Sequence, residues 1–164
     1  MYRSIIAAML LSAALLTPAS AGPGASGHSH SHGDETAFGR PGDPKKPSRV
    51  INVVMKDGSG AMEFIPNVVT IKKGEQIRFK LRNDGVMDHE LVIGTLEDNL
   101  KHAEEMKKNP DMEHDDPNGK QLESKKSGEI FWRFTKAGTF DFSCLVPGHR
   151  DAGMSGKIIV EARK

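Results

Sequence analysis

The chain has 164 residues, 23 Lys and Arg against 22 Asp and Glu, and a single cysteine. That length bounds it to one main domain, and its near-neutral balance excludes the net positive field that a nucleic acid or anionic membrane partner requires. One cysteine excludes a disulfide within the chain and leaves its thiol either reactive or bound.

Taken in chain order, Arg3, the apolar run Ile5 to Leu16 and Ala19-Ser20-Ala21 read as a secretory signal peptide over residues 1–21. The run is too short to span a bilayer, so no membrane span is expected after cleavage and the destination is the periplasm. Residues 22–48 are rich in Gly, Ser, His and Pro and are expected to be flexible, with Phe38 to Pro47 lying along the domain as an ordered strap. His28, His30 and His32 alternate with Ser in this segment, a composition that can bind metal while staying disordered, the ordinary alternative being a solvated tail.

The folded domain is expected over 49–164. Arg49 to Met55, Met62 to Ile71 and Glu75 to Arg82 read as strands. In the third, Ile77, Phe79 and Leu81 alternate with Arg78, Lys80 and Arg82, the period-two pattern of a strand buried on one face. Asn83-Asp84-Gly85 closes it as a turn, and His89 opens the next strand, through Ile93. Residues 95–127 form an insertion that does not read as strand. Thr95 is its N-cap, and Leu96, Leu100, Ala103 and Met106 follow at helical spacing. His102, Met106, Met112 and His114 are accessory metal candidates there, although such a stripe more often packs and such an acidic run is more often solvated. Ile130 to Phe134, Thr139 to Ser143 and Lys157 to Val160 complete an all-β, Greek-key sandwich whose loops gather at one end.

The chemistry concentrates between the last two strands, where Cys144, His149 and Met154 fall five residues apart. Each has an ordinary reading as a small buried hydrophobe, a loop residue or core. Together, a thiolate, an imidazole and a thioether in an exported chain are the donors of a mononuclear copper site. Soft sulfur favours Cu(I), imidazole accommodates Cu(II), and a second histidine completes the trigonal site with a weak axial Met. His89 is the leading candidate. A thiolate-bridged dinuclear centre would need two cysteines, a multicopper oxidase would need further His pairs in folded structure, and no nucleophile with an attendant base supports an enzyme.

The stretch Cys144 to Val160 resembles the ligand loop and last strand of the cupredoxins. Its Cys-x4-His-x4-Met spacing is similar to that of azurin, rusticyanin and auracyanin, and longer than the Cys-x2-His of plastocyanin. His28 to His32, Phe38 to Pro44, His89-Glu90 and Met112 to Pro117 further resemble the bacterial periplasmic copper-tolerance cupredoxins. The resemblance implies a Greek-key fold, one type 1 copper held by His89, Cys144, His149 and Met154, and a monomer cycling Cu(I)/Cu(II) in copper tolerance. A dedicated electron carrier serving a cytochrome or oxidase, and a copper donor, are the alternatives. The family often places Asn or Ser after the first ligand histidine to tie the ligand loops together, whereas this chain has Glu90. Asn83 is the residue expected to take part of that role or to remain a turn residue.

Overall fold

The computed structural model describes residues 35–58, 61–109, 112 and 116–163. The leader read over 1–21, the tail to residue 34 with His28, His30 and His32, and His114 lie outside these. Among the described residues the strands are β1 (Arg40–Pro41), β2 (Arg49–Gly58), β3 (Ala61–Ile65), β4 (Val68–Lys72), β5 (Gln76–Asn83) and β6 (His89–Gly94). Helix α1 (Leu96–Lys108) follows, then β7 (Gly119–Leu122), β8 (Ser127–Arg133), β9 (Gly138–Ser143) and β10 (Ser155–Glu161).

They form two five-stranded sheets, ordered β1-β8-β5-β2-β3 and β4-β10-β9-β6-β7. The expected sandwich is therefore present. The alternation in β5 holds, with Ile77, Phe79 and Leu81 each at most 2% exposed. They join Trp132, Phe134, Phe64, Phe142 and Ile158 in one core between the sheets. Burial of apolar surface at about 25 cal/mol per Å² is the main force closing the two layers.

Three details differ from the sequence reading. The run Met62 to Ile71 is two strands in different sheets, β3 beside β2 and β4 parallel to β10. Pro66 stands at the break, where its missing N–H cannot serve a ladder. The insertion is not free of strand: β7 pairs antiparallel with β6, Leu122 opposite His89 and Gly119 opposite Val92. Thr95 caps α1 as expected, its hydroxyl accepting from the Asp98 N–H at 3.0 Å, but the buried face is rotated. Leu96 and Leu100 are exposed, while Asn99 and Met106 are buried. Met106 packs with Val92, Leu145 and Ala103, while Leu91 and Ile93 face the main core, and β6 is buried along its whole length.

The strap is ordered where described. Phe38 stacks on Trp132 with ring centroids 5.2 Å apart, β1 pairs with β8, and Trp132 Nε1 donates to the Phe38 carbonyl.

Candidate metal centre

Antiparallel pairing of β6 with β9 sets Val92 opposite Ser143, so the start of β6 and the end of β9 share one end of the sheet. His89 is the first residue of β6, and Cys144 is the first after β9. The loop from Cys144 to Met154 then folds on itself. The His149 N–H donates to the Val146 carbonyl at 3.0 Å, the Met154 N–H to the His149 carbonyl at 3.0 Å, and the Cys144 N–H to the Met154 carbonyl at 3.1 Å. Gly153 takes φ +106° in this loop, a left-handed conformation that a side chain would strain.

His89, 60 residues from His149 in sequence, now meets this loop. His89 Nδ1 lies 3.1 Å from His149 Nδ1, and Cys144 Sγ lies 3.4 Å from the same His149 nitrogen. His89, Cys144 and His149 are the group of three metal-ligating side chains found among the described residues, all three buried. Met154 is fully buried in the core cluster that also holds Cys144. Of the accessory candidates, Met106 packs in the small cluster under α1, His102 is half-buried on that helix, and Met112 is exposed. The group of three described above does not include His102.

The electrostatics favour metal over proton chemistry. Burial pushes the Cys144 thiol up to about 12, against the opposing Glu90 N–H. Without metal the sulfur therefore holds its proton at neutral pH, and a bound metal ion removes it outright. Burial also lowers His149, helped by its neighbour His89, so its ring is neutral and able to ligate. The donor set thus fits a copper ion: one soft sulfur and two imidazole nitrogens converge in a dry pocket.

Sequence reasoning missed Asp57. Its carboxylate oxygen Oδ2 lies 3.0 Å from His89 Nε2, and the Val86 and Met87 N–H groups donate to the same carboxylate at 2.9 and 2.8 Å. Burial raises this carboxyl, but those two N–H groups and His89 outweigh it and hold it below its ordinary value. A carboxylate there keeps the His89 proton on Nε2 and leaves Nδ1 free for a metal, the usual outer partner of a ligating histidine. The only local signal was Asp57-Gly58 at a strand end.

Glu90 has two roles that its side-chain type did not suggest. Its backbone N–H points at Cys144 Sγ at 3.5 Å, and its carboxylate accepts from the Leu145 N–H at 2.9 Å. Glu90 itself thus makes the tie between the loops. Burial raises its carboxyl to about 6 against the pull of the Leu145 N–H. Asn83 remains a turn residue that also braces the neighbourhood, accepting from the Gly85 N–H and donating to the Met87 and Leu122 carbonyls.

Comparison with known proteins agrees with this geometry. The family model for copper binding proteins of the plastocyanin/azurin family matches residues 51–161. The chain is 47% identical over 131 residues to the copper-resistant cuproprotein CopI of Rubrivivax gelatinosus, covering 80% of this chain and 78% of that protein. It is 34% identical to the CopI of Pseudomonas aeruginosa, covering 81% and 86% respectively. Among solved structures, auracyanin B aligns with a TM-score of 0.59 at 22% identity, over 76% of this chain and 96% of that one. Reduced auracyanin from Roseiflexus castenholzii aligns with a TM-score of 0.58 at 23% identity, over 71% and 99%, and both share the fold. By its fold, its convergent His-Cys-His donors and the matched family model, the chain belongs to the plastocyanin/azurin family of copper-binding proteins.

Proposed function

We propose that this chain is a periplasmic protein that holds one copper ion at His89, Cys144, His149 and Met154 and serves copper tolerance. The observation that carries the reading is the convergence of His89 Nδ1, His149 Nδ1 and Cys144 Sγ within 4.8 Å in a buried pocket. Bound there, copper supplies one-electron chemistry between Cu(I) and Cu(II). The chain's own residues do the rest. Asp57 fixes the His89 tautomer, Glu90 ties the two loops and directs an N–H at the sulfur, and burial excludes water. In this reading the buried Met154 would add a thioether donor. The chain's role is to bind and cycle metal, with no organic substrate turned over.

Tolerance is supported by the relatives, which carry copper resistance in their names. The leader over 1–21 puts the protein where copper first enters, and residues 22–34 with their three histidines add weak capture ahead of the domain. A strain lacking the gene should grow poorly in raised copper and recover with the intact gene but not with Cys144→Ser. Equal growth of the deleted strain and its parent, in cells that make the protein, would refute tolerance.

A further inference from the structure

Arg150 follows His149 directly, and its guanidinium grips the buried Asp141 by two parallel bonds, Nη1 to Oδ2 at 2.8 Å and Nη2 to Oδ1 at 3.1 Å. Nη1 also contacts the Ser143 hydroxyl, which donates to Asp141 Oδ2 at 2.5 Å. From helix α1, Asn99 Nδ2 donates to the same Asp141 oxygen at 2.8 Å and to the Val92 carbonyl at 3.2 Å. The Arg150 and Asp141 side chains are only 18% and 9% exposed, so water screens the pair little. A planar, two-pronged pair fixes orientation as well as distance.

The placement of these groups is informative. Asp141 and Ser143 lie on β9 just before Cys144, whereas Arg150 lies just after His149. The network therefore staples the two flanks of the span that carries the sulfur and the second imidazole. The backbone bonds of that loop are mostly local to it, the Met62 N–H to the Ala152 carbonyl at 3.3 Å being a tie to β3. Asn99 extends the staple to the insertion, and it is buried on α1 together with Met106, while Leu96 and Leu100 stay exposed.

We propose that Asn99, Asp141, Ser143 and Arg150 form a clamp of positioning residues through which helix α1 holds the ligand loop, slowing the release of Cu(I). This rests on the ligand reading above. The loop carries Cys144, His149 and Met154, so holding its flanks holds three of the proposed donors in place. Removing one charge would leave its partner buried and unpaired, so the informative variant removes both.

The test compares the wild type with Asp141→Asn/Arg150→Gln, Arg150→Lys and Asn99→Ala. Three quantities are read: the urea midpoint of the metal-free protein, the EPR spectrum of the Cu(II) form, and the rate at which a chelator captures Cu(I). The double variant should unfold near the wild-type midpoint yet release Cu(I) about tenfold faster, the lower end of what outer-shell changes cost. Its copper hyperfine splitting should shift. Asn99→Ala, at a residue whose side chain bonds to Asp141 and the Val92 carbonyl, should move release in the same direction by less. If the double variant does not fold, Arg150→Lys, which keeps the charge and loses the fork, carries the same expectation. Release rates and EPR spectra matching the wild type in all folded variants would overturn the clamp. A wild-type Cu(II) EPR spectrum without the narrow hyperfine splitting of a thiolate-bound copper would overturn the ligand reading, and the clamp with it.

Discussion

Replacing Asp57 separates a tautomer-fixing role from a merely structural one. In the native site one carboxylate oxygen serves Met87 N–H, Val86 N–H and His89 Nε2 at 2.8, 2.9 and 3.0 Å. Val86 and Met87 are 77% and 44% exposed, so in Asp57→Ala water replaces the carboxylate for their N–H groups at small cost. His89 is fully buried, and its Nε2 proton is left without an acceptor, at about 1–3 kcal/mol. With some loss from the loop, metal-free Asp57→Ala should be about 2–4 kcal/mol less stable in urea unfolding. Copper affinity, read by chelator competition, should fall about 10- to 100-fold as the imidazole loses its fixed tautomer. Asp57→Asn keeps an acceptor oxygen for His89 and exchanges charged for neutral bonds, so it should lose only about 1 kcal/mol. Because the native carboxyl sits below its ordinary 3.8, its contribution is complete at pH 7 and disappears only as pH falls through the native value. An Asp57→Ala protein that binds copper within twofold of wild type would refute the argument.

Three further outcomes follow from the same geometry. Glu90 is buried with its carboxyl raised to about 6 from 4.5, so its charge opposes folding fully above pH 6 and not at all below 4.5. Metal-free Glu90→Gln, still able to accept from Leu145, should therefore be up to about 2 kcal/mol more stable at pH 8 and equal to wild type at pH 4, checked by urea unfolding. A Cβ added at Gly156 would lie 2.2 Å from Phe142 Cζ and 2.5 Å from the Asn67 carbonyl, so Gly156→Ala should lower stability by about 1–3 kcal/mol, read as a lower urea midpoint. Met154→Leu should keep copper and raise the reduction potential, measured by voltammetry, because the axial donor tunes that potential.

The ligand loop was legible because its donors are local: Cys144, His149 and Met154 sit at equal spacing, and soft and borderline donors together point to one metal. His89 was reachable as the histidine opening an apolar strand. Asp57 was not, since 32 residues separate it from His89 and nothing in Lys56-Asp57-Gly58 marks a carboxylate that will face an imidazole. β7 was hidden because an edge strand is held by backbone bonds, and Gly119-Lys120-Gln121-Leu122 offers a single large apolar side chain. The helix is legible from its cap and spacing, and Ala103 and Met106 pack as the stripe implies, but Leu96 and Leu100 do not. Leucines at 96 and 100 suggested the inner face, whereas tertiary hydrogen bonds to Asp141 and Val92 draw Asn99 inward. Buried polar networks of this kind have no periodic signature.

The most direct measurement is the visible and EPR spectrum of the purified exported protein titrated with Cu(II), beside Cys144→Ser and a variant lacking residues 22–34. One intensely absorbing thiolate-copper centre per chain in wild type and truncated protein, absent from Cys144→Ser, is the result expected. Colourless copper binding that survives Cys144→Ser and disappears with the histidine tail would contradict the account.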